Sequence, residues 1–496
     1  MSTTAPPRRQ SNAPRNPRLQ ALWNYVVFGI TRFSTLIMTV VLARLLSPED
    51  FGLFALGLVL LNLFDYVRDF GVTAALVQHR TPLARLLPTG LTISLLFGLV
   101  IGVAALGFAP LLADLLGHPE LTPIVRALAV ALLISSFNAL PQATLRRGLD
   151  FGRRLAPEVS GALVKLAVGV GLAASGAGIW SLVWAQLAGS LITTVLYWVI
   201  VRPPFRLGFD RRIAVDLLRF GVPVTAVTFL AYLVYNLPAT IVGRRLGAEE
   251  VGFYSLGYRL AELTVLSLCT VIGEVLFSAL ARIQDDPRGL ADGYRTAVGT
   301  VVAITFPVGL GMAAVAPDLV SLLYGSQFAA AAQPLMLLSV FVALHSATFH
   351  AGDMLKAIGH PAILTYLSVG GLVVLVPVLW IAAGHSLTMV AAALIGVEVA
   401  NFVARLVIVR RVLGLPIGSQ LGVYAGPALA AAIMTIITWT LGTVLPPWPA
   451  VLRLAVLVTF ATVLYLGSLY VFAPTSGARL TGAVRAARRR SAATAE

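Results

Sequence analysis

Apolar runs of about 20 residues recur from one end of the chain to the other, separated by short polar segments in which arginine gathers. A run of that length crosses the hydrocarbon core of a bilayer as one α-helix, whose backbone groups are all satisfied internally. Fourteen such spans are expected, at about 20–46, 51–77, 89–110, 122–145, 157–175, 178–201, 219–246, 250–280, 296–316, 330–352, 361–383, 386–409, 420–444 and 450–473. The fold class expected is therefore an all-α integral membrane protein.

A duplication organises these spans. Residues 41–57 read VLARLLSPEDFGLFALG, and 200 positions later residues 241–257 read IVGRRLGAEEVGFYSLG. Arg44/Arg244, Leu46/Leu246, Glu49/Glu249, Gly52/Gly252, Leu56/Leu256 and Gly57/Gly257 are identical pairs. A second match follows at an offset of 207, between APLLADLL at 109–116 and APDLVSLL at 316–323. Two matches in the same order define an internal repeat. Each copy holds six spans, an even number, so both cross in the same direction and form a parallel repeat of the kind found in transporters. The expected organisation is a disordered cytoplasmic tail at 1–19, an N-lobe at 20–201, a cytoplasmic linker at 202–218 and a C-lobe at 219–409. Two appended spans at 410–473 and a basic cytoplasmic tail at 474–496 complete it. Within the repeated stretch, Arg44 suits the negative end of a helix dipole, Ser47 suits an N-cap, and Pro48 with Glu49 and Asp50 suits a first turn. Gly247 ends the matching helix in the second copy.

Composition sharpens the class. Hydrophobic residues make up 58% of the chain and charged residues 11%, with a mean hydropathy of +0.89. A soluble chain carries roughly a quarter charged residues. The net charge of +15 is not a nucleic-acid footprint, because the basic residues sit between spans in alternate loops. Arg146, Arg147, Arg153 and Arg154 mark one such loop and Arg206, Arg211 and Arg212 another, whereas 111–121 and 445–450 contain no Lys or Arg. That asymmetry places both termini in the cytoplasm. Cys269 is the single cysteine and lies within an apolar run, so no disulfide framework exists.

Charges at membrane depth are costly and mark partners or wet cavities. Arg32 lies near the middle of the first span, Asp65, Arg68 and Asp69 share a face of the second, and Lys165 is central in the fifth. The eighth carries Arg259, Glu262 and Glu274, the tenth His345, His350 and Asp353, and the twelfth Glu398, Asn401 and Arg405. Asp65 with Arg68, Glu398 with Arg405 and Arg259 with Glu262 have spacings open to structural pairing. The functional reading assigns Arg32, Arg68, Lys165 and Arg259 to a cationic cavity for an anionic substrate, since an Arg fork matches phosphate oxygens. It assigns ion coupling to Asp65, Asp69, Glu262, His345 and Glu398. No Walker sequence, metal-ligand cluster or nucleophile elbow occurs, so neither a cofactor nor an enzyme activity is expected.

The stretch ARLLSPEDFGLFALGLVLLNLFDYVRDFGVTAALVQHR, residues 43–80, closely resembles the N-terminal signature of polysaccharide-type, Wzx-like flippases for lipid-linked oligosaccharides. These belong to the multidrug/oligosaccharidyl-lipid/polysaccharide exporter superfamily. The resemblance implies translocation of an undecaprenyl-diphosphate-linked oligosaccharide, an O-antigen or exopolysaccharide repeat unit, from the cytoplasmic to the periplasmic leaflet of the inner membrane by alternating access. It also implies membrane lipids, a polysaccharide polymerase and glycosyltransferases as partners, and no nucleic acid. Membrane potential and proton or sodium antiport both stay open as the driving force. A small-molecule exporter of the same architecture is the main alternative, and a polyprenyl-sugar glycosyltransferase or polymerase a second.

Overall fold

The computed structural model describes residues 17–472 except 149, 151, 284, 285, 361 and 447. The basic tail expected at 474–496, and 1–16 of the tail expected at 1–19, lie outside the described residues. The described chain is helices joined by short connections, the longest non-helical stretch running from 202 to 210. From the N-terminus run α1 (Pro17–Ala43), α2 (Pro48–Asp69), α3 (Val72–Gln78), α4 (Leu83–Leu116), α5 (Leu121–Ser136) and α6 (Ala139–Arg147). Next come α7 (Leu155–Ala174), α8 (Ile179–Val201), α9 (Arg211–Leu246), α10 (Ala248–Ala261), a π-turn at Glu262–Leu266 and α11 (Ser267–Arg282). The chain continues through α12 (Pro287–Ala314), α13 (Ala316–Tyr324), α14 (Ala332–Ala357), α15 (Ala362–Ala382), α16 (Leu387–Leu413), α17 (Ile417–Val444) and α18 (Ala450–Phe472).

Among the described residues eleven helices are long and apolar enough to cross a membrane, or twelve if α5 and α6, bent by 44° at their junction, form one span. The count of fourteen is thus not reached. The first expected span contributes a shorter apolar helix, Gly29–Ala43. The eighth is divided between α10 and α11 by the π-turn, which admits an extra residue into the hydrogen-bond ladder.

Local chemistry explains the helix ends. The Ser47 hydroxyl accepts from the Asp50 N–H at 3.1 Å, and the Asp50 carboxylate accepts from the Ser47 N–H at 3.3 Å. This reciprocal cap fixes the start of α2 as expected. Gly247, at φ 104°, separates α9 from α10. Asp286 caps α12 through the Arg288 N–H at 3.1 Å, with Pro287 in its first turn.

The chain divides into two compact units. The first comprises the described residues of 17–39, 61–108 and 125–226. Its core packs Val72, Leu76, Leu86, Leu91, Leu140 and Leu217. The Arg147 guanidinium donates to the carbonyls of Leu76 at 3.1 Å and Thr81 at 2.7 Å, tying the end of α6 to α3 and the loop after it. At the turn after α2, Gly71 has φ 66°, and a Cβ placed there would lie 2.4 Å from the Gly221 carbonyl oxygen. No side chain fits that crossing.

The second unit comprises the described residues of 40–60, 109–124 and 227–472. Its main core gathers Leu276, Tyr294, Val302, Met354, Leu406, Tyr424 and Met434. Here the two copies of the repeated stretch meet. A Cβ on Gly52 would lie 1.6 Å from the Ala248 carbonyl oxygen, and one on Gly252 would lie 2.1 Å from that of Pro48. Each glycine thus clears the first turn of the other copy's helix. Reciprocal contact of this kind is what a local two-fold axis produces. Phe328 fills the adjoining space, edge-on to Phe51 and Phe253 at centroid separations of 5.8 and 6.2 Å.

Candidate functional site: a polar cavity in the second unit

Helices α9, α10, α14, α15 and α16 enclose a cavity of about 190 Å³, room for several waters. Tyr235 and Pro238 line it from α9, Tyr254 and Tyr258 from α10, and Gly371 from α15, while α14 contributes Phe341 and His345. From α16 come Glu398, Asn401 and Arg405. These three recur at spacings of three and four, so helical geometry alone sets them on one stripe.

Glu398 is the chemical centre. It is buried, with 4% of its surface exposed. His345 Nδ1 lies 3.1 Å from its Oε1, the Thr348 hydroxyl lies 2.7 Å from the same oxygen, and the Asn401 amide donates to Oε2 at 3.4 Å. A buried carboxylate persists only with such partners. Arg405 donates to the Thr348 carbonyl, which holds the α14 backbone against α16. The imidazole is walled by aromatic rings, stacked on Phe341 at 6.0 Å and edge-on to Tyr235 at 6.2 Å. Among the described residues its Nε2 is buried without a hydrogen-bond partner. An acid and a base at hydrogen-bond distance, one of them an imidazole, can take up or release a proton without leaving an isolated charge at membrane depth.

One turn further along α14 a second pair repeats the motif. His350, fully buried, places Nδ1 3.2 Å from Asp353 Oδ2, and Asp353 Oδ1 lies 3.5 Å from Lys356 Nζ. A Cβ on Gly273 would come within 2.7 Å of the Asp353 carboxylate, so α11 approaches closely there.

The remaining sequence candidates fall in different places. Arg68 is buried and bonded to Asp65 Oδ1 through Nη2 at 2.8 Å and Nε at 3.0 Å. Asp69 accepts from the Thr73 hydroxyl at 2.7 Å, and Lys165 donates to the Gln186 side chain. Arg32 is exposed on α1, Arg259 is exposed on α10, and Glu262 opens the π-turn. Arg32, Arg68 and Lys165 belong to the first unit and Arg259 to the second. Of the five ion-coupling candidates, the fold brings His345 and Glu398 into contact. Tyr235, Tyr254, Tyr258 and Thr348 were not singled out by the sequence, because an aromatic or hydroxyl in an apolar helix carries no periodic signal. Asn401 was visible three residues from Glu398.

A second cavity, of about 480 Å³, lies among α10, the π-turn, α12, α17 and α18. Its walls are apolar and include Pro307, Met312, Met434, Val458 and Tyr465.

Comparison with known proteins places this architecture. The chain is 29% identical over 343 residues, 68% of its length and 69% of the relative's, to the lipopolysaccharide biosynthesis protein WzxC of Escherichia coli (strain K12). It is 24% identical over 324 residues, 65% of its length and 66% of the relative's, to the succinoglycan biosynthesis transport protein ExoT of Rhizobium meliloti (strain 1021). The fold is that of the lipid II flippase MurJ in an inward closed conformation. That match has a TM-score of 0.70 and 14% identity, covering 92% of this chain and 98% of the other. The family model described as polysaccharide biosynthesis protein matches residues 41–333, more than half of the chain and both copies of the repeat, and the chain belongs to that family.

Proposed function

We infer that the protein is a flippase that carries an undecaprenyl-diphosphate-linked oligosaccharide from the cytoplasmic to the outer leaflet of the plasma membrane. The observation that carries this reading is the family match across both halves of a chain whose fold is that of a lipid II flippase. A relative described as a transport protein of polysaccharide biosynthesis supports it. The physical need is plain, since a diphosphate-sugar headgroup finds no partners for its charges in hydrocarbon. The apolar cavity beside α17 and α18 has the lining a hydrocarbon chain requires. The arginine-bearing loops face the cytoplasm, and the repeated hairpins face outward.

Coupling runs through His345 and Glu398. A proton entering from outside neutralises the carboxylate or charges the imidazole. Either event shifts the balance between two conformations by the difference in proton affinity they offer. Arg32, Arg68, Lys165 and Arg259 are the cations this reading assigns to the diphosphate. A polymerase and glycosyltransferases of the same pathway supply and consume the cargo.

The test is translocation by the purified protein in liposomes loaded on one leaflet with a lipid-linked oligosaccharide, read by enzymatic accessibility of the sugar on the other. Movement is expected to depend on an imposed pH difference and to fall in the Glu398→Gln variant. Translocation no faster than in protein-free liposomes under every gradient would overturn the assignment.

A further inference from the structure

The two sequence matches, 41–57 with 241–257 and 109–116 with 316–323, turn out to be the two sides of one contact, made twice within the second unit. In one arm Arg44, just beyond α1, donates to the carbonyls of Leu322 and Leu323 in the last turn of α13, the latter at 3.3 Å. Gln327, just past the end of α13, donates back to the carbonyls of Ala43 and Leu46. In the other arm Arg244 lies beside the end of α4, where a Cβ on Gly117 would sit 3.0 Å from its Nη1. His118, just past the end of α4, reaches back with Nε2 to the Gly243 carbonyl at 3.0 Å. Ala43 and Gly243 are equivalent positions of the repeat. In each arm a copy's arginine therefore lies against the other copy's helix end, bonded to it in the Arg44 arm, and a side chain from that end bonds the arginine's own hairpin.

The arms differ in one respect. Gln327 is a fixed amide donor, whereas His118 is an imidazole held between two acceptors. Its Nδ1 lies 2.9 Å from Glu120 Oε1 while its Nε2 faces the Gly243 carbonyl. The charged group in contact with it is Glu120 from its own loop, and Arg244 from α9 lies beside the neighbouring Gly117. A neutral imidazole has one N–H and satisfies only one acceptor, turning a lone pair on the other. An imidazolium satisfies both. The ring is largely buried, 13% exposed, so water does not readily replace the lost bond. Burial acts to raise the Glu120 carboxyl, but its own backbone N–H and the hydrogen bond and charge of His118 bring it below the usual range.

We propose that these reciprocal contacts are a two-armed latch that holds this face of the second unit shut, and that the His118 arm releases when its imidazolium loses a proton. The proposal rests on the transport reading only in taking opening of this face as a step of the cycle. It adds a pH-sensitive element separate from the His345–Glu398 pair. With both ring nitrogens protonated the arm is closed, and with one proton gone it is weakened, because two acceptors then share one N–H. The glutamine of the other arm keeps a pH-independent hold.

The test uses the full chain in nanodiscs with Cys269→Ser, and spin labels at Leu115→Cys and Glu249→Cys, both exposed positions on the two sides of the His118 arm. Distances are measured at pH 5.5 and pH 8.5. The ratio of long to short distances is expected to rise roughly tenfold at the higher pH, the scale of one lost charge-assisted hydrogen bond. The His118→Gln variant, which copies the Gln327 arm, is expected to stay short at both pH values. Arg244→Gln is expected to lengthen the distance at both. An unchanged wild-type distribution across this range overturns the latch. So does a His118→Gln variant that keeps the full shift, because the titrating group then lies elsewhere. A protein that flips no lipid yet shows the shift leaves the latch standing and removes the transport reading. One that flips lipid without the shift does the reverse.

Discussion

The sharpest stability prediction concerns Gly252. A methyl group added there has its Cβ 2.1 Å from the Pro48 carbonyl oxygen and 2.9 Å from the Pro48 carbonyl carbon. Ordinary contact needs roughly 3.4 Å or more, so α2 and α10 must separate by about 1 Å where both are in backbone contact. The obstacle is backbone rather than a flexible side-chain tip, and it belongs to the capped first turn of α2. Overpacking of this kind costs about 1–3 kcal/mol. The displacement also pulls apart the neighbouring Gly52–Ala248 contact, so the upper part of that range is expected for Gly252→Ala. Gly52→Ala, whose Cβ would be 1.6 Å from the Ala248 oxygen, should be at least as costly. The measurement is thermal unfolding of the purified full chain in one detergent, with Gly467→Ala as the control, since nothing lies within 4 Å of a Cβ there. A Gly252→Ala variant whose midpoint matches the control would refute the claim that the two repeats touch through their glycines.

Four further outcomes follow from particular contacts. Glu398→Gln leaves His345 beside a neutral amide and should slow translocation at least tenfold with protein abundance retained, read in the liposome assay at two pH values. Arg147→Met removes two donors from the Leu76 and Thr81 carbonyls, and should lower stability by about 1–3 kcal/mol in chemical unfolding. Arg32→Ala should abolish export of the lipid-linked sugar at normal abundance, and Arg32→Lys should restore part of it, because a point charge does not reproduce a bidentate fork. Wild-type export by a well-expressed Arg32→Ala variant removes this residue from the site. Glu120 titrates below the usual carboxylate range, so its contribution is present above its unfolded value and lost as pH falls through its folded value. The spin-label pair should therefore loosen again only in strong acid, and Glu120→Gln should remove that acid limb.

What the sequence displayed was period and punctuation. The apolar runs, the Ser47–Asp50 cap and the glycine break at Gly247 rest on residues near one another in the chain, and they appear where expected. Contacts between distant segments were not legible. Arg44 reads locally as a cation for its own helix, yet it lies past the end of α1 and serves α13, 279 residues away. Glu398 has Arg405 on its own helix, but its hydrogen-bond partner is His345, 53 residues earlier. The π-turn after α10 divides an apolar run without a proline to announce it, because an added residue in a helix changes the hydrogen-bond ladder and leaves composition alone.

The duplication itself separates the two kinds of site. At the face where the repeated hairpins meet, both copies keep their arginine and their glycine, and the contacts come in reciprocal pairs. At the polar cavity the central pair is not duplicated. The positions 200 to 207 residues before His345 run from Asn138 to Leu145 and hold no histidine, and those before Glu398 run from Leu191 to Trp198 and hold no acid. A closing surface benefits from symmetry, because two matched arms share the load. A coupling site has no such need, since one proton acceptor suffices to bias a two-state equilibrium through its difference in affinity. The proposed reading therefore combines symmetric closure with chemistry in one half. It locates the search for coupling residues in α14 and α16 rather than in the matched stretch by which the family is recognised.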